Sequence, residues 1–201
     1  MRLAKANTKA IKYACMNFHY AKSVPTVQYA YNVYNDKDEW CGVIIYGGGA
    51  NNNLAKSCNL RNGEVLELER VALNGKQEQT SKAVALSLKL LHKENPLVKM
   101  IVSYADHRQR HVGTIYKATN WIYLGIVKTS DFQYLLNGKW THERTINSKS
   151  NKEELKKKLK KRPNANKFKY VYCFDKQLKK EYEKIRKKYP TEKEITEKEK
   201  K

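Results

Sequence analysis

EVLELERVALNGKQEQTSKAVALSLKLLHKENPLVKMIVSYAD, residues 64–106, reads as strand, helix, strand. Glu64 to Leu73 is rich in β-formers and alternates for much of its length. Thr80 or Ser81 then stands as a helix N-cap ahead of Val84, Leu88 and Leu91, which repeat at i, i+4 and i+7. Val98 to Ala105 is short and apolar, as a strand buried on both faces must be. The helix between the strands has the length that a right-handed crossover requires, so the two strands are expected to lie parallel in one sheet. That places the chain in the α/β class.

Working outward, Ile11, Ala14, Cys15 and Phe18 give Lys9 to Tyr20 a helical spacing that ends before Val24-Pro25. Thr26 to Val33 alternates, Asn35-Asp36-Lys37-Asp38 turns, and Trp40 to Tyr46 is almost wholly apolar; together they predict a hairpin with a buried second strand. Gly47-Gly48-Gly49 is a flexible break without the lysine of a phosphate-binding loop. Downstream, Gly113 to Asn120 reads as a short helix and Trp121 to Val127 as a strand. Asn137-Gly138 within Tyr134 to His142 is a hairpin signal. Lys152 to Arg162 reads as a lysine-rich helix and Lys169 to Phe174 as a last strand. Residues 1–175 are expected to form one domain. Residues 176–201 are expected to form a lysine/glutamate-rich helix and a tail, disordered from Tyr189 for want of apolar residues.

The chain's 201 residues suffice for one ordinary core. No run reaches the roughly 18 apolar residues of a membrane span, so no membrane partner is expected. Cys15, Cys41, Cys58 and Cys173 show neither zinc nor disulfide spacing and are read as free thiols. The net charge of +21 points to a polyanionic partner. It is shared by the body and the stretch from Lys152 onward, which holds 20 basic and 9 acidic residues.

Strand alternation through Leu66-Glu67-Leu68-Glu69-Arg70 puts Arg70 on the face of Leu66 and Leu68. A guanidinium on an apolar face costs several kcal/mol unless paired, so Arg70 is a candidate for a specific role; a structural ion pair would serve equally. Ser103 and Asp106 sit at the C-terminal end of the second parallel strand, where open α/β sheets place ligands. Asp106 fits a turn cap as well. His19-Tyr20 closes the first helix. His19, His107, His111 and Asp106 match no standard zinc spacing, and the metal is left unassigned. Tyr116 on its short helix can give a proton to a leaving group whose pKa is near its own.

In this order these residues resemble the GNAT acyltransferase superfamily, with Tyr116, Trp121 and Gly125 closing its pattern. More narrowly, His19-Tyr20, Leu68-Glu69-Arg70-Val71, Ser103-Tyr104-Ala105-Asp106 and Ile115-Tyr116-x-Ala118-Thr119-Asn120-Trp121-Ile122-Tyr123-x-Gly125 resemble the Mom family of phage proteins. The resemblance implies a GNAT-like α/β fold, a mixed twisted central sheet flanked by helices, with a basic C-terminal extension. It implies a cytoplasmic enzyme of the infected bacterium that attaches a carbamoylmethyl (acetamido) group to adenine N6 in double-stranded DNA and so blocks restriction. His19, Tyr20, Arg70, Ser103, Asp106 and Tyr116 would carry the site. Leu68, Val71, Gln77, Thr80, Ser81 and Tyr123 would line the place of acetyl-CoA or a related CoA donor. Arg108, Arg110, Lys156, Lys157, Lys158, Lys160 and Lys161 would hold DNA, and a homodimer is compatible with all of this. One departure is the pyrophosphate loop, where Asn74-Gly75-Lys76-Gln77-Glu78-Gln79-Thr80-Ser81 keeps a single glycine of the superfamily's Gln/Arg-x-x-Gly-x-Gly/Ala. Two other functions fit the residues: an N-acetyltransferase of protein or small-molecule amines, and a non-catalytic basic DNA-binding protein.

Overall fold

A computed structural model describes residues 1–49, 53–106 and 113–191. Its core is a seven-stranded sheet in the order β1-β2-β3-β4-β5-β10-β6, formed by Arg2–Lys5, Tyr29–Tyr34, Trp40–Gly47, Val65–Leu73, Met100–Asp106, Lys167–Cys173 and Ile122–Val127. All neighbours are antiparallel except β4 and β5, the pair joined by helix α3 (Thr80–Glu94). The parallel pair and its crossover match the expectation. Strand β1 and the insertion of β10 between β5 and β6 were not foreseen, because both depend on pairing between distant segments.

Helices cover both faces. On one, α3 presents Ala83, Val84, Leu88 and Leu91 to Tyr31, Ile44, Tyr46, Leu66 and Leu68. On the other, α1 (Thr8–Asn17) sets Ile11, Ala14 and Cys15 against Ala30, Val43, Ile45 and Ala72. The Asn7 side chain caps α1 by accepting from Ala10 N at 2.9 Å, so the helix starts one residue earlier than expected and ends at Asn17. Helix α7 (Lys176–Lys184) returns to that face through Leu178 and Tyr182, beside Met100, Val102 and Val171. The short α2 (Leu54–Ser57) adds Leu54 and Ala55 to the same cluster.

Three expectations need correction. The lysine-rich segment is not one helix: α6 (Lys152–Lys158) stops at Leu159, whose backbone is extended, and Lys161–Pro163 pairs as β9. Disorder does not begin at Tyr189, because its hydroxyl donates to the Trp121 carbonyl and its ring packs on Tyr123 and Tyr170. The third concerns Arg70. Ile45 faces Arg70 while Tyr46 faces Leu68, so Glu69 is an extra residue in β4. That bulge turns Arg70 away from Leu66 and Leu68 and onto the α1 face, with Ile45 and Ala72.

The Asn137-Gly138 turn is present, with φ of 50° and 75°, joining β7 (Phe132–Leu136) to β8 (Lys139–His142). With β9 they form a second, three-stranded sheet.

Under α3, the Ser87 hydroxyl donates to Val84 O at 2.8 Å, so its contact with Tyr46 at 2.6 Å must have the tyrosine as donor. Both groups are fully buried. Ser87→Ala orphans the Tyr46 hydroxyl and is expected to lower unfolding free energy by about 1–3 kcal/mol in a urea titration. Adding Tyr46→Phe should recover most of it. A single variant as stable as wild type would show that Tyr46 finds another acceptor.

Candidate active site

The parallel ladder of β4 and β5 has only three rungs, Val65 with Met100, Leu66 with Ile101, and Glu67 with Val102. Beyond them the strands part. Leu68 onward pairs with β3 alone, and Ser103 onward with β10 alone. A cleft therefore opens through the sheet at the C-terminal ends of two parallel strands.

Ser103 bridges its start. The buried hydroxyl donates to Leu68 O at 3.2 Å and accepts from the Tyr116 hydroxyl at 2.8 Å. Helix α4 (Thr114–Ala118) delivers Tyr116 from the α3 face. Its ring stacks on Tyr170 at 4.2 Å between centroids and meets Trp121 edge-on at 5.1 Å. Gly113, the N-cap of α4 at φ +77°, is needed here, since a Cβ on it would stand 2.3 Å from the Tyr170 hydroxyl. Burial pushes the Tyr116 hydroxyl up to about 12; the Ser103 hydrogen bond opposes this, and charges at Tyr20 and Glu67 add to it. Tyr116 therefore keeps its proton at neutral pH.

The other wall comes from the α1 face. Tyr20, just past α1, has its hydroxyl raised by burial and by the charge of Asp106, while Arg70 pulls it down. The His19 ring lies 4.4 Å from that of Tyr20, and its Nδ1 accepts from Ala21 N at 3.2 Å, which leaves the neutral ring's proton on Nε2. Arg70 donates from Nη1 to Glu69 O at 2.6 Å, but its buried Nε has no hydrogen-bond partner among the described residues. Burial raises the Glu69 carboxyl, against Arg70, the Gly49 N–H and Lys167. Asp106 ends β5, inside the strand rather than in a turn.

The structure thus gathers Tyr20, Arg70, Ser103, Asp106 and Tyr116 around one opening, with His19 in ring contact with Tyr20. Glu67, Glu69, Tyr104 and Lys167 join them and were not singled out in the sequence. Glu67 was legible as the residue opposite Leu66 and Leu68; Lys167 was not, because its place depends on the insertion of β10. His107, Arg108, Arg110 and His111 lie outside the described residues.

The expected cofactor residues divide. Leu68 and Tyr123 are buried, Tyr123 packed among Phe168, Tyr170 and Tyr189, and Val71 packs under α3. Gln77 donates to Thr80 Oγ1 at 2.8 Å, and its buried Oε1 has no partner among the described residues. No side chain caps the start of α3 and no acid occupies its first turn, which begins Thr80-Ser81. Its first backbone N–H groups suit an anion.

A family model described as the Mom protein family matches residues 1–191. The chain belongs to the Mom protein family. "Methylcarbamoylase mom" of Escherichia phage Mu is 28% identical over 135 residues, which are 65% of this chain and 55% of that protein. The match therefore spans little more than half of that relative. Among solved structures, an acetyltransferase from Bacillus subtilis in complex with CoA superposes with TM-score 0.51 at 9% identity, covering 87% of this chain and 99% of that one. A chimera of the spermidine N-acetyltransferase SpeG from Vibrio cholerae gives TM-score 0.52 at 7% identity over 90% and 99%. At such identities the likeness concerns the fold, and this Mom family chain has the GNAT acetyltransferase fold.

The buried tyrosines tie stability of the Mom domain to pH. Unfolded tyrosine titrates near 10, whereas folding pushes Tyr104 and Tyr116 up to about 12. The folded state binds more protons between these values, so this stabilisation is full below about pH 10 and fades as pH rises toward about 12. Melting temperature is expected to fall across that interval, less steeply in Tyr104→Phe. A flat profile above pH 10 would contradict the assigned burial.

Proposed function

We propose that this protein modifies adenine in DNA, adding a carbamoylmethyl group to the exocyclic N6, with its two carbons from a CoA-type donor and its amide nitrogen from a second, nitrogen-bearing donor, and so shielding phage DNA from restriction. The observation that carries it is the cleft between β4 and β5, where a protonated Tyr116 on one wall faces Tyr20, Arg70 and Asp106 on the other. The name of the Mu relative agrees with this reading, since a methylcarbamoyl and a carbamoylmethyl group are built from the same atoms.

The residues present fit a CoA-type group. The uncapped start of α3 with Gln77, Thr80 and Ser81 would hold a pyrophosphate, and the parted strands would admit a pantetheine arm. When bound, such a donor would supply a two-carbon acyl group on a sulfur leaving group; acyl transfer alone gives an N6-acyl adenine, so a second, nitrogen-bearing co-reactant must supply the amide nitrogen of the carbamoylmethyl product. Tyr116 then has the protein's part of a general acid: a neutral hydroxyl, oriented by Ser103 and braced by Tyr170. On the opposite wall Asp106 and Tyr20 are placed to hold an amino group, and the orphaned Nε of Arg70 to meet an acceptor. Duplex adenine must leave its pair to reach them, at about a few kcal/mol.

Mass spectrometry of nucleosides from DNA of cells expressing the protein tests this. A new adenine adduct is expected. Tyr116→Phe should lower its yield at least about tenfold, the scale of a lost general acid. Arg70→Ala should abolish it with the circular dichroism spectrum unchanged. Unmodified DNA with acetylated amines in the same cells would replace this reading by an N-acetyltransferase, and full yield from Arg70→Ala would displace the site.

A further inference from the structure

The seven-stranded sheet is interrupted once by a module that belongs to neither face. The chain leaves at Val127, the end of β6, and returns at Lys167, the start of β10. Lys167 is the register partner of Val127 on one side and of Asp106 on the other. The insertion is thus rooted on the rung that carries Asp106. Its neck is closed by the Thr129 hydroxyl, which lies 3.2 Å from both Asn164 O and Ala165 O, and by Asn164 N donating to Asp131 O at 2.8 Å.

Residues 128–166 contain eleven Lys or Arg and four Asp or Glu, an excess of +7 on about a fifth of the chain. Two lysines expected to hold DNA are engaged inside the module: Lys156 pairs with Glu143 at 2.9 Å and Lys158 with Glu154 at 2.5 Å. Helices α5 (Glu143–Asn147) and α6 lie on the side of Tyr134, which is buried near Lys156. Strand alternation turns Gln133, Leu135, Trp140, His142 and Arg162 to the opposite face of the small sheet. There the Arg162 guanidinium lies 4.2 Å over the Trp140 ring, and its Nε donates to Gln133 Oε1 at 2.9 Å. On the Tyr134 side, Lys161 stands 5.1 Å over Phe132.

We propose that this inserted module is the surface on which duplex DNA docks, with Arg162, held on Trp140, and Lys160, two residues before it, as the phosphate contacts. The assignment rests on the adenine-modification reading for its substrate and adds which surface holds that substrate. A stacked, pinned guanidinium loses little conformational freedom when it meets a phosphate. A second copy of this chain is disfavoured as the occupant, because it brings the same +21 charge. The rooting at Asp106 gives the backbone contacts a fixed offset from the cleft, which sets which nucleotide can reach it.

Fluorescence anisotropy with a short labelled DNA duplex, repeated over a range of salt concentrations, tests the proposal on the full chain. Replacing Lys160 and Arg162 by alanine together should weaken binding at least about tenfold at physiological salt. The slope of log K against log salt should flatten by about 2, near 0.9 for each lost phosphate contact. Arg162→Lys keeps the charge but not the fork or the stack, and should fall between wild type and Arg162→Ala. A paired change on helix α1, outside the module, Lys9→Ala with Lys12→Ala, should leave the slope as it was. Melting curves identify any variant that fails to fold, and Arg162→Lys stands in for it. Wild-type binding with module variants of unchanged slope would overturn this assignment alone. A wild-type protein that binds no duplex would overturn it together with the reading beneath it.

Discussion

Everything specific about this molecule follows from a parallel ladder that stops after three rungs. A sheet that continued pairing beyond Glu67 and Val102 would satisfy its backbone and leave no opening. Parted strands expose donors and acceptors that need other partners, because a buried backbone group without one costs as much as a lost hydrogen bond. One acceptor is met locally, where the Ser103 side chain bridges to Leu68 O just as the backbone bonds cease. The same oxygen accepts from Tyr116, so the group that completes the broken sheet also aims the Tyr116 hydroxyl. Structure and chemistry share one serine.

The bulge at Glu69 is the second consequence. Pairing on the β3 side must continue while β4 turns from its parallel neighbour, and one extra residue in β4 accommodates the change of twist. Its effect on side chains is discrete. Without the bulge, Arg70 would point at α3 among Leu66 and Leu68; with it, Arg70 faces Tyr20 and the cleft wall. This explains how far the sequence could be read. The strand, helix and strand of residues 64–106 were legible because each carries its own period, and Asn137-Gly138 because its turn demands positive φ at both positions. An inserted residue leaves no mark in a run that alternates on either side of it, so the face of Arg70 was not legible. Likewise, Lys167 owes its place to pairing with strands some 40 and 60 residues away in sequence.

The charge distribution looks contradictory until depth is considered. A chain of net charge +21 places Glu67, Glu69 and Asp106 around its cleft. At the surface, cations act through water on any polyanion and draw it in without selection. In the cleft the carboxylates are few and partly desolvated, and burial raises Glu69 against the pull of Arg70 and Lys167. A phosphate backbone is repelled from such a wall, whereas a neutral base is not. On the proposed reading, the excess of positive charge outside and the acids inside would sort the two halves of a nucleotide, holding the backbone at the rim and leaving room within for the base.

The aromatic stack extends this logic to the end of the described chain. Tyr116 lies on Tyr170, Tyr170 on Tyr123, and both Tyr170 and Tyr123 contact Tyr189. Tyr189 is fixed in turn by donating to Trp121 O, while Lys187 N donates to Tyr123 O at 2.8 Å. Trp121 closes the circle by meeting Tyr116 edge-on. Composition made this segment look like a solvated lysine tail, since a single tyrosine among charges carries no period. Yet one ring suffices when it fills the remaining side of a stack, because an aromatic side chain can bury about 150–250 Å². The short helix that presents Tyr116 is too short to hold itself, and it packs only through the partly buried Ile115 and Tyr116. Its position is therefore set by the rings beneath it, so residues on four separate stretches of the chain act together to hold one hydroxyl at the mouth of the cleft.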